Sequence, residues 1–240
     1  HRDSPMLVYN PGQFYMVGLV GIGEAAFSPV RSDVDLGTVV FLIRQVGRVT
    51  NWMAGLKVGD SIEMRGPLGN GFPIDEMRGC DVVLASGGCG VPPIASLAEY
   101  ILKKPDDFGK IYFLYGARTP QDLHLQKDMA NWPKKIEKMF TIDKACNGWS
   151  GNVGYVHELI KKIKIGPSKT KAALCGPPMM FAAIQVELNK QGVKDDSIYA
   201  SLERKMECGI GKCQHCTCGG AYACIDGPVF RLSEIDINAT

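Results

Sequence analysis

Residues 82–102 read VVLASGGCGVPPIASLAEYIL, an apolar strand that runs through Gly87, Gly88 and Gly90 into a helix-like stretch. A strand apolar on both faces belongs inside a sheet that is covered on both sides. Glycines at the strand-to-helix turn let the backbone come close to a ligand, and the helix N-terminus beyond favours a phosphate. Pro92 and Pro93 suit a first helical turn, where a missing N–H costs nothing. The plainer reading is a tight turn in an α/β sheet. A second turn of the same kind, Cys175-Gly176-Pro177-Pro178-Met179, follows the apolar run KAALCG at 171–176. Two such turns at the carboxyl ends of parallel strands line the crevice where these sheets bind ligands, so a nucleotide site is expected.

The same texture extends over residues 79–203. Apolar strands (IYFLYG at 111–116, SIYASL at 197–202) alternate with helix-like stretches (PIASLAEYILKK at 93–104, PMMFAAIQVELNKQG at 178–192), which implies a parallel sheet with helices on both faces. Before it, short β-rich runs are broken by glycine and proline: QFYMVGLV at 13–20, TVVFLIRQVG at 38–47 and DSIEMRGPLGNGF at 60–72. That spacing suggests a small barrel or sandwich. Within it, GRVTNWM (47–53) opens a short helix, and the amides of Gly47, Val49 and Thr50 are candidates for a second phosphate, with Arg44 and Arg48 adding positive charge. The alternative there is a plain capped helix with Thr50 as the cap. The expected division is 1–75, 76–203 and a cysteine-rich 204–240.

Composition removes several function classes. Hydrophobic residues are 45% and charged residues 22% of 240, an ordinary globular balance. Lys and Arg number 27 against 25 Asp and Glu, which gives no electrostatic case for nucleic acid or an anionic membrane as main partner. No apolar run approaches the roughly 20 residues of a spanning helix, and no signal-type apolar stretch follows His1. The nine cysteines are an odd number, and Cys80, Cys89, Cys146 and Cys175 lie scattered, as reduced cysteines do. A reducing, cytoplasmic setting is expected.

The other five cysteines stand together in CGIGKCQHCTCGGAYAC (208–224). The spacing is Cys208-x4-Cys213-x2-Cys216-x7-Cys224, and its first three members match the C-x4-C-x2-C run of plant-type [2Fe–2S] ferredoxins. Gly209, Gly211, Gly219 and Gly220 permit close backbone approach and leave amides to hydrogen-bond sulfur. Structural zinc usually shows two C-x2-C knuckles or paired Cys and His ligands; one C-x2-C occurs here, although His215 and Cys218 leave room for a mixed site. Reactive thiols are a third reading. The two-iron cluster is preferred, with Cys218 as a bystander.

Taken in order, PGQFYMV (11–17), GEAAFS (23–28), RQVGRVT (44–50), RGPLGNGFP (65–73), ASGGCGVPP (85–93), YGARTPQDL (115–123), CGPPMM (175–180) and SLERKMECGIGKCQHC (201–216) resemble the ferredoxin-reductase-like electron-transfer subunits of anaerobes. That group includes sulfhydrogenase gamma, anaerobic sulfite reductase B and dihydroorotate dehydrogenase electron-transfer subunits, and the last segment looks closer to the first two. The resemblance implies a β plus α/β fold: an FAD-binding β-barrel, a parallel-sheet NAD(P)-binding domain and a C-terminal [2Fe–2S] loop held by Cys208, Cys213, Cys216 and Cys224. It implies FAD near Phe27, Ser28, Arg44, Gly47, Val49 and Thr50. NAD(P)H is implied at Gly87, Gly88, Gly90, Pro92, Arg118, Cys175, Gly176, Pro177 and Met179. Where many relatives carry an arginine three residues before the flavin-motif serine, Ala25 stands here, which either weakens FAD binding or leaves the task to Arg31 or Arg44. Only ten residues precede Pro11, fewer than in family members, so an incomplete barrel is expected.

The implied activity is that of an NAD(P)H-dependent flavin and iron–sulfur subunit that exchanges electrons with a catalytic partner subunit. No side-chain acid or base is nominated, because the cofactors carry the reaction. His215 is expected to shield or hydrogen-bond the cluster, or else to be a solvent-facing loop residue. The segment after Arg118 offers only Lys127 beside Asp122 and Asp128, which leans toward NADH over NADPH. Other readings are a redox sensor without turnover and a zinc-stabilised, non-catalytic interaction module.

Overall fold

A computed structural model describes residues 7–236. β1 (Phe14–Leu19) turns back on β2 (Gly23–Phe27), and β3 (Pro29–Asp33) pairs with β4 (Thr38–Phe41) as a separate hairpin. After a short α1 (Arg48–Met53), β5 (Glu63–Leu68) returns to the other side of β1. The amino-terminal part is therefore a three-stranded and a two-stranded antiparallel sheet. Of the β-rich run 38–47, only β4 (Thr38–Phe41) is strand. The ladder partner of Phe41 is Pro29, which has no N–H to extend the pairing.

A short α2 (Ile74–Met77) leads into β6 (Asp81–Gly87), α3 (Val91–Leu102), β7 (Ile111–Ala117), α4 (Gln126–Ala130), β8 (Ile136–Ile142), β9 (Asn152–Val153) and α5 (Val156–Ile160). β10 (Thr170–Cys175), α6 (Pro178–Lys190) and β11 (Ile198–Ser201) complete the alternation. The cysteine-rich segment adds β12 (Thr217–Cys218), β13 (Ala221–Tyr222) and β14 (Val229–Arg231). The large sheet has seven strands in the order β14-β11-β10-β6-β7-β8-β9. All of its pairs are parallel except β14 on β11.

The period-2 alternation of β6 divides two cores. Val82 and Leu84 face α3, where Ile94, Leu97 and Ile101 are buried together with Val30 of β3. Val83 and Ala85 face the other way, toward α5 and α6 with Ile160, Phe181, Ile184 and Leu188. That second core also takes in Phe14 and Met16 of β1 and Cys216, Cys218, Cys224 and Phe230 of the last segment. One continuous apolar cluster thus joins all three parts of the chain. Among the described residues no helix is long and apolar enough to cross a membrane.

β14 is fastened by a polar clamp as well as by its ladder. Tyr199 Oη donates to Glu76 Oε2 at 2.7 Å, and Arg231 Nη2 donates to Glu76 Oε1 at 2.6 Å while its guanidinium lies over the Tyr199 ring at 5.1 Å. Burial pushes the Glu76 carboxyl up, but the bonds from Tyr199 and Arg231 and the charges of Arg231 and Lys171 outweigh it, so the group is held below the ordinary glutamate value. A depressed carboxylate stabilises the fold above its unfolded pKa, and that stability is lost as pH falls through the folded value. Glu76→Gln is expected to cost about 1 kcal/mol at pH 7, a low figure because the carboxylate is partly solvated. In chemical denaturation at stepped pH, the gap between wild type and variant should close below pH 4.5.

Candidate functional site

The strand order reverses between β6 and β10, and the two glycine turns meet there. Gly88–Gly90 forms one tight helical turn before α3, with Gly88 at φ +54. A Cβ on Gly90 would stand 2.5 Å from the Cys175 carbonyl oxygen, and one on Gly87 would stand 2.8 Å from Met180 Sδ. The absence of these Cβ atoms is what lets the turns touch. Pro92 is buried in the first turn of α3, so it shapes the turn and presents no surface. Arg118, Pro177 and Met179 are exposed at the rim, whereas Cys175 and Gly176 are buried beneath it. Burial, with Glu203 nearby, pushes the Cys175 thiol well above its usual value.

Tyr115, which the sequence reading passed over, braces this crevice. Its hydroxyl faces the carbonyls of Gly88 and Asp122, each at 3.1 Å, and accepts the His124 amide at 3.2 Å. Burial raises its pKa to about 12. The Gly88 turn is thereby tied to the loop that follows Arg118. Asp128, counted against a 2′-phosphate, instead meets Arg31 at 3.0 Å.

On the amino-terminal side, where flavin is expected, Phe27 and Ser28 are half-buried where β2 gives way to β3. Gly47 is the N-cap of α1, so Thr50 is not the cap but the third helical residue. Thr50 Oγ1 accepts the amides of Val46 and Gly47, both at 2.9 Å. The Gly47 amide is therefore committed, while the first turn leaves the Val49 and Thr50 amides without intrahelical partners. Arg48 reaches across to the Gly21 carbonyl at 2.7 Å. Of the two arginines considered in place of the one missing at Ala25, Arg31 is drawn away to Asp128 and Glu99, and Arg44 stays exposed beside α1.

The cysteines form two pairs. Cys208 Sγ accepts amides from Ile210 at 3.4 Å, Lys212 at 3.3 Å and Cys213 at 3.4 Å, and its thiol is within hydrogen-bonding reach of the Cys213 thiol. Cys216 Sγ and Cys224 Sγ lie 3.3 Å apart, and Cys224 Sγ accepts the Gly211 amide at 3.1 Å. The amides of Cys213 and Ile210 lower the Cys208 thiol to about 6, whereas burial raises Cys224 to about 11. A two-iron cluster takes two thiolates on each iron, and paired thiols with amides aimed at sulfur fit it. Structural zinc wants four ligands around one point. Among the described residues no three His, Cys, Asp or Glu side chains are so grouped. His215 Nε2 faces Glu207 Oε2 at 3.3 Å instead of a cysteine. Cys218 is buried in the core on β12.

Three family models match the chain: an oxidoreductase FAD-binding domain over residues 1–72, an oxidoreductase NAD-binding domain over 84–186, and the iron–sulfur cluster binding domain of dihydroorotate dehydrogenase B over 203–236. Sulfhydrogenase 1 subunit gamma of Pyrococcus furiosus is 37% identical over 95% of this chain and 80% of its own. The probable dihydroorotate dehydrogenase B electron transfer subunit of Pyrococcus horikoshii is also 37% identical, over 98% of this chain and 84% of its own. The chain belongs to this family of electron-transfer subunits. A solved NADH-dependent reduced ferredoxin-NADP oxidoreductase superposes with a TM-score of 0.77 at 26% identity, covering 96% of this chain and 80% of that one. As a family member the chain is an NAD(P)H-dependent flavin oxidoreductase subunit with FAD-, NAD- and iron–sulfur-binding domains, the last consistent with a [2Fe–2S] cluster.

Two glycine substitutions separate architecture from ligand contact. Gly90→Ala drives a Cβ into backbone and is expected to destabilise the fold by about 1–3 kcal/mol, with nicotinamide-nucleotide binding weakened alongside. At Gly47 the backbone is extended (φ −158) and a Cβ would meet open space. Gly47→Ala should lower the melting temperature only slightly, as alanine at an N-cap does, so a loss of flavin affinity measured by fluorescence titration that exceeds this small effect reports a ligand at that turn.

Proposed function

We propose that this protein carries electrons between NADH and a catalytic partner subunit, by way of FAD on the amino-terminal sheets and a [2Fe–2S] cluster on Cys208, Cys213, Cys216 and Cys224. Bound there, NADH would supply a hydride, FAD would receive it as two electrons and a proton, and the cluster would carry electrons one at a time. The chain's own residues place and shield. The Gly87–Gly90 and Cys175–Met179 turns hold the nucleotide at the switch point, with Arg118 at the rim. Phe27, Ser28, Val49, Thr50 and Arg44 hold the flavin, and Gly47 fixes the entry to α1. The single observation that carries this reading is the shared core, in which β1, the buried cysteines and the nucleotide sheet are packed as one body.

The partner belongs on the cysteine side. Cys213 is exposed and Cys208 half-buried, while Cys216 and Cys224 lie inside. Exposed Ile210 and Ile225 flank that opening. A cluster open on one side and closed on the other suits exchange with a docked protein, within the cytoplasm. The sulfhydrogenase-type complex is the preferred setting. The match of residues 203–236 to the dihydroorotate dehydrogenase B cluster domain supports that enzyme's complex as the second reading.

An anaerobic visible spectrum followed during NADH addition tests the proposal. Flavin bands and broad iron–sulfur absorption should both bleach, and more slowly with NADPH. A protein with zinc, no iron and no flavin would defeat it. Dihydroorotate bleaching the assembled complex would move the preference to the second setting.

A further inference from the structure

Arg65 of β5 occupies a position that neither the flavin site nor the cysteine ligands account for. Its Nε and Nη2 grip the Glu24 carboxylate, with Nε 3.0 Å from both oxygens and Nη2 2.8 Å from Oε2. Its Nη1 donates to the Cys208 carbonyl at 2.7 Å. Glu24 stands on β2, three residues before Phe27, and Cys208 is the first cysteine of the cluster spacing. One planar guanidinium therefore joins the strand that ends at the flavin motif to the loop that begins the cluster. Beside this bond, Gly209 at φ +68 lies so close that a Cβ would come 3.0 Å from Leu68 Cδ1 and 3.2 Å from Met16 Cγ. The rest of the loop makes its hydrogen bonds inward, from the amides of 210–213 to Cys208 and Cys224 sulfur.

From this geometry we infer that Arg65 is a positioning residue: its fork sets the seat of the cluster loop on the flavin sheet and so the placement of the Cys208 end of the cluster. The inference rests on the flavin and cluster assignments proposed above. A fork is required because the two acceptors, a carboxylate and a carbonyl, lie on different elements. Lysine, a point donor on a flexible stem, does not hold both in fixed register. Arg65 and Glu24 side chains are 38% and 34% exposed, so the salt link adds little to stability and the geometric constraint is the main effect.

The test compares wild type, Arg65→Met and Arg65→Lys as reconstituted holoproteins. Flavin and iron content, amide hydrogen exchange over residues 208–213, and the electron paramagnetic resonance spectrum and midpoint potential of the reduced cluster are measured. Arg65→Met should keep flavin and iron, exchange those amides about tenfold faster, and show a broadened spectrum with a shifted potential. Arg65→Lys should resemble Arg65→Met. Either variant matching wild type in exchange, spectrum and potential would overturn the inference, and a Lys variant alone doing so would assign the effect to charge. If Arg65→Met does not yield folded holoprotein, Glu24→Gln, which removes the ionic half of the fork, is read by the same criteria. A wild type that binds neither flavin nor iron defeats the underlying function, whereas a loaded wild type with indifferent variants defeats this inference alone.

Discussion

The antiparallel pairing of β14 with β11 is the contact on which the cysteine segment depends. It is a ladder of three residue pairs, Tyr199 with Arg231, Ala200 with Phe230 and Ser201 with Val229. From it the chain runs back through Pro228 and Gly227 to the cysteines, and Asn70 of the amino-terminal part grips the same stretch. Asn70 Nδ2 donates to the carbonyls of Asp226 and Val229, and its Oδ1 accepts the Val229 amide, each at 2.9 Å. Asn70, β11 and β14 are thus held at one point, Asn70 more than 100 residues from either strand. A segment rich in glycine and cysteine has little apolar area of its own to drive folding. Its order is borrowed from the sheet it extends and the loop it abuts.

Much of this was legible in the sequence, and the reasons differ by element. β6, β7 and β10 read plainly because they are central strands, apolar on both faces. The two turns were legible because glycine and proline there answer a backbone demand, not a packing one. β8 went unread: IEKMFTI carries Glu137 and Lys138 because only the two-residue β9 lies outside it, so part of its surface is wet. β14 was hidden by its length of three residues and by lying inside a stretch whose cysteines dominated the reading.

The site shows the same division. Cysteine spacing marked residues 208–224 as the cluster segment, since coordination fixes residue type. Arg65, Tyr115 and Asn70 were not visible because each acts on backbone carbonyls elsewhere in the chain, and carbonyls leave no trace in residue identity. The phosphate reading of GRVTNWM needed the fold to be refined: Thr50 turns its hydroxyl back on the turn it follows, and that takes the Gly47 amide out of play.

The unequal exposure of the cysteines reaches beyond electron exchange. The Cys208 and Cys213 end is open to water, and the Cys216 and Cys224 end is sealed in the core. Any small oxidant or chelator meets the first pair long before the second. Attack on the cysteines would therefore be lopsided, starting at Cys208 and Cys213 while Cys216 and Cys224 stay shielded. A partner docked on this side, as proposed above, would shield the outer two thiols as well as exchange electrons.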